Sequence, residues 1–293
     1  MESGTAAQII LPLALFTIMF GVGITLRVSE FTFYIQNPKP VIIGALAQLL
    51  LLPLIGLIVV TVFALPPAMA VGIMILTFAP GGATSNMITL LARGDTAMSV
   101  SLTAVSGLVT PFTIPLLAFF AVAYWLGEQA AIAFPVLETM LKLFAIAVLP
   151  AILGVIVNHL WPEFCRKAEG TVKIMACLFL FIVVLGIVRA NWDSLPVLIL
   201  QLGPAVLSLV MIAMGGGYLL ASKLAMSQAQ SVTLAVELGI QNAATALMVT
   251  TVILDNPVMS ASALIYGILM NIPAFLLIAY RNLPNRGEVN SQC

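Results

Sequence analysis

Glu237 sits in the middle of SVTLAVELGIQNAATALMV, a stretch apolar enough to lie in a lipid bilayer. A carboxylate there is costly unless it meets a cation, a proton or a hydrogen-bonding partner. Gly239, Gln241 and Asn242 stand beside it and supply a weak point in the backbone and two amide side chains. An earlier apolar stretch is interrupted at FAPGGATSNMITLLARG, residues Phe78 to Gly94. Pro80 removes a backbone donor, and Gly81 and Gly82 permit non-helical dihedrals, so the chain can unwind in mid-membrane. Thr84, Ser85 and Asn86 then open a half-helix whose partly positive end and unpaired N–H groups suit an anion such as a carboxylate. A carboxylate, amide carbonyls, hydroxyls and unwound backbone carbonyls together form an oxygen set for a hard monovalent cation, sodium being the natural candidate. A protonated Glu237 bonded within the bundle, or one that carries a proton, uses the same residue differently.

These groups need a membrane scaffold to position them. The 293-residue chain is 62% hydrophobic and 8% charged, with zero formal net charge, which excludes an ordinary soluble surface. No basic run points to nucleic acid or to a polybasic lipid patch. Cys165, Cys177 and Cys293 lack metal-ligand spacing and read as packing or tail residues. The first apolar run, IILPLALFTIMFGVGITL, has no basic leader and no small-residue cleavage pattern, so it counts as a helix.

The breaks predict an all-α integral membrane protein with nine transmembrane helices at roughly 9–27, 40–63, 69–92, 97–125, 135–160, 171–189, 196–221, 229–254 and 258–280. An outside N-terminus puts Arg27, Lys39, Arg93, Arg166, Lys167, Lys223, Arg281 and Arg286 on the inner side and Arg189 on the outer. Lys142 lies inside a span, where it can snorkel. Trp125, Trp161 and Trp192 mark span ends. The expectation is a multi-pass inner-membrane protein with a cytoplasmic C-terminus.

Residues 1–293 then form one transporter domain. Spans one to four (about 9–125) and six to nine (about 171–280) make two repeats of inverted topology, with span five (135–160) unpaired. The third member of each repeat carries the polar interruption, a pattern that points to a transporter's binding site near the midplane. Ser99, Thr103 and Ser106 form one polar stripe along span four, which packing alone could also explain. Gln48 in span two and Asn271 in span nine serve either as interhelical glue or as site residues. His159, the sole histidine, lies beside Asn158 near a span end and reads as interfacial. An intramembrane enzyme would need a nucleophile with a base or a metal cluster, and neither HExxH nor GxSxG is present. A channel fits poorly with one deep acidic residue and no repeated pore loop.

The segments PGGATSNMITLLARGDTAMSVSLTAVS and VELGIQNAA resemble the bile acid:sodium symporter family. Weaker similarity covers IMFGVGITLRVSEF, NPKPVIIGALAQLLLLP and LPAILGVIVNHL. The resemblance implies a fold of two inverted repeats, here lacking the first helix of the ten-helix pattern, with two broken, crossing helices. Spans two to four and seven to nine would form the core domain and spans one, five and six the panel. It further implies one sodium site at Ser85, Asn86, Ser99, Thr103 and Glu237, and another at Gln48, Glu237, Leu238, Ile240 and Gln241. The backbone carbonyls of Leu238 and Ile240 would serve the second site.

Substrate would lie near Gly82, Ala83, Thr84, Asn242 and Asn271. Many relatives read Gly-Gly-Thr-Ala-Ser-Asn, so Thr84 here displaces the hydroxyl by one position, about 100° around a helix. Met270 stands where several bacterial relatives have histidine. The implied function is sodium-coupled import of an organic anion, bile-acid-like, pantoate-like or a keto acid, without a cofactor. A proton-coupled or facilitative organic-acid carrier is the alternative.

Overall fold

The computed structural model describes residues 2–25, 34, 36–190, 192–193 and 195–283. Arg27, Arg286 and Cys293 lie outside the described residues, as does the side chain of Cys177. The described residues are helices and turns, with no strand. In lipid this is the expected solution, because a helix satisfies its backbone groups within one segment.

In chain order the helices are α1 (Glu2–Thr25), α2 (Lys39–Val62), α3 (Pro67–Thr77), α4 (Ala83–Leu91), α5 (Thr96–Leu126) and the short α6 (Glu128–Ile132). There follow α7 (Val136–Leu160), α8 (Pro162–Ala190), α9 (Leu195–Lys223), α10 (Gln228–Gly239), α11 (Ala243–Leu247) and α12 (Pro257–Arg281). Within the described residues the stretches expected as spans lie mainly on helix. The third divides into α3 and α4, and the eighth into α10 and α11. Among the described residues six helical segments are long and apolar enough to cross a membrane, α10 with α11 and its extension counting as one. The main boundary difference is α8, which starts at Pro162 rather than near 171. Proline favours a first helical turn, and the polar run after it contains no further proline, with Gly170 tolerated inside the helix.

Prolines also shape the helix interiors. A wide π-type turn at Ala47–Leu51 precedes Pro53, and another at Phe144–Val148 precedes Pro150. Proline lacks an N–H and crowds the carbonyl four residues back, so the helix widens just before it. Gln48 lies on the first of these turns.

Small residues let the helices approach closely, as membrane packing requires. α1 packs on α7 and α8, α9 on α10, and α3 on α12 and α5. A Cβ added at Gly23 would collide with Ala151 O, and one at Gly217 would meet Leu234 O at 2.7 Å. The most apolar window of Gln228–Ile253 is 89% buried within the protein, against 22% for that of α7. The segment carrying Glu237 is therefore surrounded by protein, whereas α7 leaves much of its surface for lipid.

Candidate functional site

The two interruptions meet. Asn242, between α10 and α11, donates its backbone N–H to Ala79 O, just after α3, at 3.0 Å. A Cβ at Gly81 would lie 2.6 Å from Ser85 Oγ, 2.9 Å from Ile240 O and 3.0 Å from Glu237 Oε2. Only glycine lets the first break come this near the second. At Gly82 the nearest atom to such a Cβ would be Asn242 Nδ2, at 3.3 Å.

Around that contact lie two oxygen-rich sets sharing Glu237, whose carboxylate is fully buried. In the first, Ser99 Oγ is 2.6 Å from Glu237 Oε1 and 2.7 Å from Asn86 Oδ1, and Thr103 Oγ1 donates to the same Asn86 oxygen at 3.0 Å. Ser85 donates to Gly82 O at 2.8 Å and its hydroxyl also stands beside the Glu237 carboxylate. A serine hydroxyl has one proton, so Ser99 cannot satisfy both oxygens at once. With Asn86 Oδ1 turned toward Ser99, the second contact has no proton of its own, and a cation or a proton on Glu237 would make it attractive.

In the second set Gln48 Nε2 donates to Glu237 Oε2 at 3.0 Å, while Ser106 donates to Gln48 Oε1 at 2.6 Å. Gln241 Nε2 donates to the carbonyls of Glu237 and Leu238, both at 2.9 Å. Gln241 Oε1 is buried without a hydrogen-bond partner. A buried acceptor left unpaired among other oxygens is costly, and a bound cation would relieve it. The Ser99, Thr103 and Ser106 stripe thus faces both sets. Gln48 joins the second.

Two cavities flank the contact between the breaks, and both are lined by Gly82 and Asn242. One, of about 280 Å³, runs between α1, α5 and α7 and is walled by Met19, Ile114, Leu143 and Val148, with Thr103 and Thr245 beside Asn242. The other, of about 290 Å³, is bounded by Ala83, Thr84, Gln241, Met270 and Asn271. Asn271 also donates to Gly267 O at 2.7 Å, so it bonds within its own helix as well as lining the cavity. Every residue expected from the sequence at the cation or substrate sites lies in one of the oxygen sets, at the breaks, or on a cavity wall. Ile240 contributes the carbonyl facing Gly81.

Away from the breaks, His159 and Trp161 are exposed at the end of α7, Trp125 is partly buried, and Lys142 pairs with Glu138 at 2.6 Å. Cys165 is buried and free.

Three features went unread in the sequence. Tyr266, fully buried in α12, donates to Gly239 O at 3.0 Å. A lone tyrosine in an apolar helix gives no signal beyond packing. At the far end of α4, Arg281 Nε donates to Ala92 O at 3.1 Å and Asn282 Nδ2 to Leu91 O at 2.8 Å, capping α4. Tyr34 donates to Asp95 Oδ2 and accepts from Gln230 Nε2 at 3.2 Å. Asp95 also caps α5, through Met98 N at 3.0 Å. Burial, and the bond to Asp95, push the Tyr34 phenol well above its ordinary range. The aspartate before Thr96 was a visible cap signal, whereas its tyrosine partner was not.

Residues 12–196 match the sodium bile acid symporter family. The chain is 30% identical over 267 residues to an uncharacterized sodium-dependent transporter of Bacillus subtilis (strain 168), covering 90% of this chain and 80% of that protein. It is 31% identical over 181 residues to the ileal sodium/bile acid cotransporter of Oryctolagus cuniculus, which covers 60% of this chain and 51% of the rabbit protein. A probable chloroplastic sodium/metabolite cotransporter of Oryza sativa subsp. japonica is 26% identical over 274 residues, with 91% and 64% covered. The chain thus spans most of the bacterial relative but only about half of the ileal one. With a family match over more than half its length and a relative similar across nearly all of it, the chain belongs to the sodium bile acid symporter family, whose members are membrane transporters and not enzymes.

Proposed function

We propose that this protein is a sodium-coupled symporter that imports an organic anion by alternating access. The observation that carries the proposal is the crowding of oxygens at Ser99, whose single proton faces Glu237 Oε1 and Asn86 Oδ1 at 2.6 and 2.7 Å. One sodium ion would be held by Ser85, Asn86, Ser99, Thr103 and Glu237. A second would be held by Gln48, Glu237, Gln241 and the carbonyls of Leu238 and Ile240. The unpaired Gln241 Oε1 supports the second set. Such cations would neutralise Glu237 and brace the two breaks against each other.

The anion's carboxylate would approach Gly82, Ala83, Thr84, Asn242 and Asn271, where the first turn of α4 offers N–H groups and a partial positive charge. Its body would occupy a flanking cavity. A space of roughly 300 Å³ is at the lower end of small-ligand pockets, which favours a compact acid of the pantoate or keto-acid kind over a larger body fully enclosed.

Nine spans, an outside N-terminus and two inverted repeats complete the proposal. The packing of α1 with α7 and α8 supports a panel of spans one, five and six beside a core of the other six. Sodium and substrate must each tighten the other by the same factor. A second mechanism has a specific observation in its favour: a proton on Glu237 would also fill the short contact at Ser99, giving a proton-coupled carrier.

Thermal-shift titration of the purified protein with sodium against potassium, on wild type and Glu237→Gln, with a panel of organic acids, tests the proposal. Sodium-selective stabilisation that is absent in the variant and strengthened by one acid is expected. Equal responses to the two ions, with the variant differing only in its pH response, would replace sodium coupling with proton coupling.

A further inference from the structure

The carbonyls at the end of α10 are satisfied almost entirely by side chains. Helix termini leave such groups without intrahelical partners, and in a buried break no water need be present to take them. Gln241 takes those of Glu237 and Leu238, and Gln48 Nε2 lies 3.4 Å from the former. Gly239 O is taken by Tyr266, the one donor to this end that comes from α12. Both partners are buried, and Tyr266 is among the largest side chains with no exposure.

Tyr266 also lies within the stretch of α12, Leu264 to Asn271, that walls the second cavity. Its own carbonyl accepts from Met270 N at 2.9 Å, and Gly267, Ile268, Met270 and Asn271 follow along that wall. A Cβ at Gly267 would meet Ala243 Cβ at 2.8 Å, so α12 is pressed against the start of α11. Further along, Arg281 at the end of this helix and Asn282 just beyond it cap α4. One helix therefore holds the end of α10, a cavity wall and the far end of the half-helix that carries Ser85 and Asn86.

We infer that the Tyr266 hydroxyl is a positioning group that fixes the Gly239 carbonyl, and with it the flanking Leu238 and Ile240 carbonyls, and links that backbone to the cavity wall on α12. The inference rests on the sodium-symport proposal and adds to it the route by which cation occupancy reaches the anion cavity. Without the hydroxyl, Gly239 O loses its buried donor, and the Gly239–Ile240 peptide is held only through its N–H, which donates to Val236 O at 2.8 Å. Cation affinity and the coupling between cation and anion both fall.

The test is the sodium dependence of thermal stabilisation and of organic-acid binding in purified Tyr266→Phe, against wild type and Tyr280→Phe, an exposed tyrosine on the same helix. Half-saturating sodium is expected to rise about fivefold or more in Tyr266→Phe, as loss of a buried hydrogen bond implies, and to stay unchanged in Tyr280→Phe. The factor by which saturating sodium tightens the acid should fall with it. A merely structural tyrosine would lower the melting temperature by the same amount with and without sodium and leave half-saturation within twofold of wild type; that result overturns the inference. Incorporating 3-fluorotyrosine at position 266 keeps the ring and strengthens the donor, so half-saturating sodium should fall slightly; a rise would overturn the inference even if the phenylalanine variant failed to fold. Absence of any sodium-selective response in wild type would instead defeat the symport proposal itself, and this inference with it.

Discussion

The two breaks solve the same problem by different means. The first, between α3 and α4, is built from Pro80, Gly81 and Gly82, and Gly82 starts α4 with no side-chain cap. The second, between α10 and α11, is stitched by side chains: Asn242 Oδ1 accepts from Thr245 N at 3.1 Å, Gln241 takes two carbonyls and Tyr266 a third. Ala83 and Thr84 beyond the first break are exposed, whereas Leu238, Gly239, Ile240 and Gln241 are buried. The first break supplies room and the second supplies charge. A buried carboxylate requires partners on every side, so it stands in the break whose backbone is already satisfied. Space for an approaching ligand stands in the break that has little side-chain bulk to move aside.

The largest expected effect removes the charge from the second break. Glu237→Gln keeps the shape but deletes the negative centre of both oxygen sets, and half-saturating sodium should rise by about 100-fold or more. Isothermal titration with sodium, or loss of the sodium-selective melting shift, reads this directly. The matching change at the first break is Gly81→Ala. Its Cβ would press on Ser85 Oγ, Ile240 O and Glu237 Oε2, and overpacking of this kind costs about 1–3 kcal/mol. Gly107→Ala on α5 meets nothing within 4 Å and lies in a helix interior, so it should be neutral or slightly stabilising. Equal melting temperatures for the two alanine variants would end the idea that the first break is defined by close approach.

Ser99 and Ser106 sharpen the contrast between the two oxygen sets. Ser99 touches both Glu237 and Asn86, whereas Ser106 reaches only Gln48. Ser99→Ala should raise half-saturating sodium about tenfold, as loss of a hydrogen bond to a charged group implies, and Ser106→Ala about two- to threefold. Reversal of that order would move the principal cation from the Asn86 set to the Gln48 set.

Much of this architecture was legible because lipid imposes simple rules. Runs of about twenty apolar residues mark helices, and within such runs a proline, paired glycines or a carboxylate stands out. Glu237, Asn86 and the Ser99, Thr103 and Ser106 stripe were visible for that reason. The wide turn that carries Gln48 follows from Pro53, yet a proline does not announce how far the preceding turn opens. Tyr266 stayed hidden because a tyrosine among Leu, Ile and Met satisfies the same apolar pattern whether or not its hydroxyl has a partner. Arg281 was counted only as an inward positive charge, since capping of α4 depends on a contact between residues 189 apart in sequence. Local pattern finds the groups that violate the membrane rule and misses those that obey it while also bonding across helices.

The smallest expected effect lies where α4 turns into α5 against the start of α10. Here Asp95 receives the Tyr34 hydroxyl and donates its own N–H to Thr233 Oγ1 at 2.8 Å. This tie holds the ends of both broken helices far from the breaks, so it should steady the scaffold without altering the cation sets. Tyr34→Phe is expected to cost about 1 kcal/mol of stability and to leave half-saturating sodium unchanged. Because burial and Asp95 raise the phenol above its unfolded value, the hydroxyl's contribution is fully present below about pH 10 and fades only as pH rises further. The melting difference between wild type and variant should therefore stay constant across the neutral range. A change in half-saturating sodium on this substitution would show that this tie and the breaks act as one unit, and the division between an anchoring end and a binding centre would then fail.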